Sequence, residues 1–209
     1  MNEWIIALGL CLLGYLAGSI PFSILLTRMV KNVDVRDAGS GHATTTNTIR
    51  QAGWLAGAVV LIFDMAKGYL PTLLAIKQAP FEWVIPMVAG LAVFGHCWPI
   101  FAQFRGGMGL ATAGASILAV NPLYGLIGLG LLIVFTLIIK HSAKAALLVG
   151  ILLAPMYYLL GQRGLLISVS AAVGFVIAIR FTRDWNRHYR ELWLDREKED
   201  AKTEIGTNN

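Results

Sequence analysis

Apolar residues in this chain do not alternate at the period of two that a half-buried strand would show. They run on for many positions between short polar stretches. Seven such runs stand out: Trp4–Thr27, Gly53–Lys77, Trp83–Phe104, Met108–Val120, Pro122–Ile139, Ala145–Leu160 and Gly164–Ile179. A helix needs about 20 apolar residues to cross a bilayer, and lipid offers no partner for a stray backbone group, so helices are the natural reading. The pattern predicts an all-α, polytopic integral membrane protein of about seven transmembrane helices, the fourth being the shortest. The first run has Glu3 and no basic residue before it and is too long for a signal-peptide core, which predicts a retained helix. A single membrane domain is expected over 1–180 and a polar tail over 181–209. In the tail Trp185, Tyr189 and Trp193 recur every four residues, so an amphipathic surface helix is expected from Arg180 to about Lys198, followed by disorder.

Composition agrees: 56% of the 209 residues are hydrophobic and 14% charged, with a mean hydropathy of +0.65. Lysine and arginine, counted loop by loop, decide the orientation. Arg28, Lys31, Arg36, Arg50, Arg105, Lys140, Lys144 and seven tail residues fall on one side, whereas only Lys77 and Arg163 fall on the other. The N-terminus is therefore expected outside and the C-terminus in the cytoplasm. A net charge of +5 suits a face turned toward anionic lipid and anionic substrates. The basic residues are scattered over short segments, which argues against nucleic acid. Cys11 and Cys97 lie inside runs with no CxxC spacing, so neither a disulfide nor a metal site is indicated.

Candidate chemistry sits where polar residues interrupt the runs. Gly106, Gly107 and Gly109 are packed into four positions, and a helix starting near Met108 would aim its positive end at the same concavity, a cradle for phosphate. A plain tight turn between two helices is the alternative. The stretch NVDVRDAGSGHATTTNTIR is richer in hydroxyls, glycine and charge than a connection requires. Ser40, between Gly39 and Gly41, offers a hydroxyl and amides to an oxyanion, with Arg36 and Arg50 as bidentate phosphate partners; a solvated linker is the alternative. Asp64 and Lys67, three apart in the second run, share a helix face and can pair, as a functional site or as a structural ion pair. His96 reads either as a catalytic group or as a buried histidine donating to a carbonyl.

Four segments taken in order, GSIPF, DVRDAGSGHATTTNTIR, DMAKG and GHCWPIFAQFRGGMGLAT, resemble the bacterial acyl-phosphate:glycerol-3-phosphate acyltransferases, a membrane family of the PlsY type. The first-loop pattern is met at Asp34, Val35, Arg36, Gly39, Ser40, Gly41, Thr46, Asn47 and Arg50, and the second, D-x-x-K-G, at Asp64, Lys67 and Gly68. The third is met at Gly95, His96, Trp98, Pro99, Phe101, Phe104, Arg105, Gly106, Gly107, Gly109, Ala111 and Thr112. The resemblance implies acyl transfer from acyl phosphate to the 1-hydroxyl of glycerol 3-phosphate, forming lysophosphatidic acid for phospholipid biosynthesis. It implies no cofactor, membrane lipid as a partner, no nucleic acid, and an inner (plasma) membrane location with the active site facing the cytoplasm; it names no protein partner. The residues it carries over are Ser40, Arg50 and His96 as catalytic groups. Arg36, Gly39, Gly41, Asn47, Asp64, Lys67, Arg105, Gly106, Gly107 and Gly109 would bind substrate, with acyl phosphate at the 106–109 cradle and glycerol 3-phosphate at Ser40, Arg36, Arg50 and Lys67.

The departures matter as well. His42, Thr44 and Thr45 stand where the first pattern has Asn, Gly and Ala, and Met108 stands where the third has Lys. The C-terminal pattern becomes Arg180, Phe181, Asp184, Trp185, Arg187 and His188, without the expected histidine and asparagine, and an expected serine falls at Ala143 or Ser142. These changes keep open a catalytically impaired paralogue that binds lipid phosphate or regulates an acyltransferase, while broken helices and an internal Asp–Lys pair would also suit a small membrane transporter.

Overall fold

The computed structural model describes residues 2–183 and 185. Among them the chain forms nine α-helices and no strand: α1 (Glu3–Gly18), α2 (Phe22–Lys31), α3 (Thr45–Ala52), α4 (Trp54–Gln78), α5 (Val84–Cys97), α6 (Leu110–Val120), α7 (Pro122–Ile139), α8 (Ser142–Leu159) and α9 (Leu165–Arg183). The tail helix expected beyond Arg183, and Asp184 with it, fall outside the described residues.

Six helical stretches are long and apolar enough to cross a bilayer, the first being α1 and α2 together over Glu3–Lys31. The fourth run is the exception. Its helix α6 has 11 residues, roughly 16 Å at 1.5 Å per residue against a hydrocarbon core of about 30 Å. It is therefore a half-length element inside the bundle, begun late by the glycine-rich bend and stopped at Asn121, whose side chain caps α7 through the Leu123 and Tyr124 amides. The first stretch is broken at Ser19–Pro21, where Pro21 supplies no amide and starts α2 as its N-cap. The second surprise is α3, which occupies part of the expected polar loop. Thr44 caps it, accepting from the Asn47 amide at 3.2 Å.

Helices pack where side chains are small. Gly18 of α1 lies against the Ala92 backbone of α5, and Gly68 of α4 lies against the Thr112 carbonyl of α6, so close that a Cβ at either position would meet backbone. Two hydroxyls fasten the second crossing: Thr112 donates to the Asp64 carbonyl at 2.9 Å and Ser116 to the Gly68 carbonyl at 3.2 Å. These bonds hold the charged turn of α4 against the start of α6. The core is built of Val88, Val93, Leu153, Tyr157, Val173 and Ile177. The outer face instead exposes Leu8, Ile62, Leu126, Leu137, Leu159 and Phe175. An apolar surface of that extent belongs in lipid.

Candidate active site

The first loop is a built object. The Asp34 carboxylate accepts from the Arg36 amide (3.0 Å) and Nε (2.9 Å) and pairs with Arg28 Nη2 at 2.7 Å and Arg36 Nη2 at 2.8 Å. The Arg36 guanidinium holds the Asp34 carboxyl well below the usual carboxylate range, and Asp34 in turn raises Arg36. Arg36 Nη1 reaches across to the Ala102 carbonyl at 2.9 Å. Arg36, expected to meet phosphate, is thus a strut between the first and third loops. Asn47, buried, gives its amide to the carbonyls of Val35 (2.7 Å), Ala38 (3.0 Å) and His42 (3.1 Å), which makes it the hub of the loop. Gly39 (φ +63°) and Gly41 (φ +67°) supply the left-handed turns on either side of Ser40.

The third loop is stitched just as closely. The Gly107 amide donates to the His96 carbonyl at 3.1 Å and the Ala43 amide to the Gly106 carbonyl at 3.4 Å. Arg180 of α9 donates through Nε to the Gly107 carbonyl at 2.9 Å. The expected cradle of three converging glycine amides is therefore not formed, because the Gly107 amide is already engaged. The helix also begins at Leu110 rather than Met108, with Gly109 (φ +81°) as its N-cap. The amides that open α6 receive no side-chain cap, and positive charge collects there.

Between the loops lies a cavity of about 420 Å³. Ser40, His42, Thr44, Thr45, Thr46 and Arg50 line it from the first loop and α3, and Asp64 and His96 from α4 and α5. Met108, Gly109, Leu110 and Ala111 line it from the start of α6, and Leu61, Leu129, Leu132, Ser142 and Phe181 complete the wall. Its wall combines hydroxyls and a cation with aliphatic side chains, a combination that fits a phosphate head on a fatty chain.

Of the residues picked out from the sequence, Ser40, Arg50, Asp64, His96 and Gly109 border this cavity, whereas Arg36, Gly39, Gly41, Asn47, Lys67, Arg105, Gly106 and Gly107 do not. Arg105 is exposed. Lys67 departs most from expectation. Its ammonium lies 2.9 Å from Asp64 Oδ1 and donates to the Ile20 carbonyl at 3.1 Å, and it borders a second cavity of about 360 Å³ on the other flank of α4. The buried Asp64–Lys67 pair is thus the partition between two cavities, with the carboxylate facing the main one. His96 Nδ1 stands 3.6 Å from the same Asp64 oxygen, too far for a hydrogen bond, and has no other partner among the described residues. Ser142 and Phe181 line the cavity and Arg180 bonds to the Gly107 carbonyl beside it, all from positions remote in sequence; the family resemblance named these positions without indicating which loops they meet. Among the described residues no three His, Cys, Asp or Glu side chains come together as a metal ion would require.

A family model described as glycerol-3-phosphate acyltransferase matches residues 8–191. Among similar proteins, the glycerol-3-phosphate acyltransferase of Rubrobacter xylanophilus is 41% identical over 165 residues, 79% of this chain and 82% of the relative. That of Laribacter hongkongensis is 38% identical over 184 residues, covering 86% and 88%, and that of Bacillus subtilis is 37% identical over 172 residues, covering 80% and 86%. The crystal structure of PlsY (YgiH), an integral membrane glycerol 3-phosphate acyltransferase in its glycerol 3-phosphate form, superposes with a TM-score of 0.76 at 31% identity, covering 87% of this chain and 90% of that one. The lysophosphatidic acid form of the same enzyme gives a TM-score of 0.74. With its membrane bundle, its two interlocked loops and these matches along most of its length, the chain belongs to the glycerol-3-phosphate acyltransferase family.

Proposed function

We propose that this protein transfers a fatty acyl group from acyl phosphate to the 1-hydroxyl of glycerol 3-phosphate, releasing inorganic phosphate and lysophosphatidic acid. One observation carries the reading: a single cavity is lined by Ser40 and Arg50, by the opening of α6 and by the leucines Leu61, Leu129 and Leu132. Glycerol 3-phosphate takes the Ser40 and Arg50 side, acyl phosphate the Gly109–Ala111 side, and the acyl chain runs against the leucines. Acyl phosphate is already activated, so the protein has mainly to bring two anions together and to stabilise the negative charge that develops on the carbonyl oxygen. The glycerol hydroxyl attacks the acyl carbonyl carbon, the C–O bond to phosphate breaks, and the hydroxyl proton ends on the departing phosphate or passes to His96, with Asp64 orienting the ring.

The membrane domain over 1–180 works as one unit in the plasma membrane, with the N-terminus outside and the cavity open to the cytoplasm. Detergent-purified protein supplied with radiolabelled glycerol 3-phosphate and acyl phosphate is expected to yield labelled lysophosphatidic acid. Absence of product would favour the paralogue reading, for which Met108 in the cavity wall is the motivating observation. Orientation is tested by thiol labelling: Lys77→Cys is expected to react from outside the cell and Thr203→Cys only after permeabilisation.

A further inference from the structure

Arg180 carries a charge that nothing in the preceding chemistry uses. It lies half-buried near the C-terminal end of α9, with its guanidinium carbon 5.9 Å from the centre of the Trp98 ring. Its Nε donates to the Gly107 carbonyl at 2.9 Å across 73 positions of sequence. That bond joins two points whose next neighbours in the chain, Met108 and Phe181, both line the main cavity. A guanidinium has five N–H donors in one rigid plane, and here one edge is fixed. The Nη edge has no hydrogen-bond acceptor, and the side chain no carboxylate partner, among the described residues. A half-buried cation held on one side, with no partner for its other edge among the described residues, is pre-organised for a planar, bidentate anion.

The neighbouring cations are placed differently. Arg105 is exposed, and Lys144 Nζ lies 5.3 Å from the centre of the Trp185 ring. Arg183 lies over the same Trp98 at 5.8 Å but is exposed and makes no bond to the loop. Met108, which the third pattern would make lysine, brings only a thioether to the rim.

We propose that Arg180 adds a second cation beside the cavity that Arg50 lines. It binds a substrate phosphate group through its Nη donors while its Nε holds the glycine loop in place. The inference rests on the acyl-transfer reading for its substrates, but its test does not depend on turnover. Transfer kinetics with acyl phosphate and glycerol 3-phosphate are measured for wild type, Arg180→Gln, Arg180→Lys, Arg183→Gln and Arg180→Gln with Met108→Lys. In parallel, binding of glycerol 3-phosphate and of inorganic phosphate is followed by thermal stabilisation of the same detergent-purified proteins. Arg180→Gln is expected to raise KM for one phosphate-bearing substrate roughly tenfold or more, the usual consequence of losing a charge-assisted bond, and to leave the other within about twofold. Arg180→Lys should fall between, Arg183→Gln should match wild type, and Met108→Lys should restore most of the affinity lost in the Gln background. Which KM moves says whether the phosphate is that of donor or acceptor. Unchanged KM for both substrates, with only kcat or thermal stability reduced, would show that Arg180 merely braces the loop and would overturn the proposal. Should Arg180→Gln fail to fold, the same comparison of KM in Arg180→Lys decides. A wild-type protein that binds phosphate in an Arg180-dependent way without transferring acyl groups would remove the acyltransferase reading and keep this one.

Discussion

Removing Lys67 tests whether the partition between the two cavities is an ion pair in substance as well as in geometry. Lys67 and Asp64 are 5% and 3% exposed at their side chains, with 2.9 Å between Nζ and Oδ1. At an effective dielectric of about 20 and about 4 Å between charge centres, their attraction is about 4 kcal/mol. Desolvation of the two ions offsets much of that, so the pair as a whole adds little net stability. Deleting one partner is a different matter, since it strands the other charge in the interior. Lys67→Met is therefore expected to destabilise by about 3–5 kcal/mol, with loss of the bond to the Ile20 carbonyl included in that cost. Asp64→Asn should cost a comparable amount by stranding the ammonium. The double variant, Asp64→Asn with Lys67→Met, strands nothing and should recover most of the loss while remaining inactive, because the carboxylate beside His96 is gone. Denaturant-induced unfolding of detergent-solubilised protein reads the stabilities, and lysophosphatidic acid formation reads activity. A single variant that loses less than about 1 kcal/mol, or a double variant less stable than both singles, would refute the claim that each charge is retained because the other is present.

Ser40→Ala and Arg50→Ala are each expected to lower transfer activity about tenfold or more, as loss of a polar or charged phosphate contact commonly does; near-wild-type rates in both would remove the first loop from the site. Gly68→Ala should separate α4 from α6, since its Cβ would meet the Thr112 carbonyl, and thermal unfolding should show a loss of about 1–3 kcal/mol together with reduced activity as Asp64 moves. Asp34 has a depressed folded pKa, so its contribution is full above the ordinary carboxylate pKa near pH 4 and fades as pH falls below that value. The stability gap between wild type and Asp34→Asn should accordingly be constant above about pH 4 and narrow below it, as acid titration of the unfolding midpoint would show.

What was legible in the sequence, and what was not, divides along the range of the interactions. Asp64 and Lys67 could be paired from spacing alone because both lie on one turn of one helix, and lipid leaves buried charges no other answer. Their division between two cavities could not, because it depends on how α1 and α6 lie on either side of α4. Arg36 shows the same limit. Two arginines in a loop rich in serine and glycine look equivalent, yet Arg36 is held by Asp34, two residues away, and by a carbonyl 66 residues away, whereas Arg50 borders the cavity. The helix α3 was hidden because TTTNTIRQ has no apolar periodicity, and its start depends on a threonine cap. The glycine bend could be located from the sequence, but which of its amides stay open could not, since backbone amides carry no label saying which have already found a carbonyl. The Gly107 amide had found that of His96.

That last bond changes how the site is understood. If the glycines do not themselves bind the anion, their use is to let the chain between His96 and α6 fold back tightly enough for Gly107 to be bonded from both sides, by the His96 carbonyl and by Arg180. A Cβ at Gly107 would meet the His96 ring and the Ala43 carbonyl, so the small residue is required by the closeness of the fold there. The consequence is that His96, the start of α6 and the end of α9 are held as one unit. A cation delivered by α9 can then serve a rim where residue 108 is methionine.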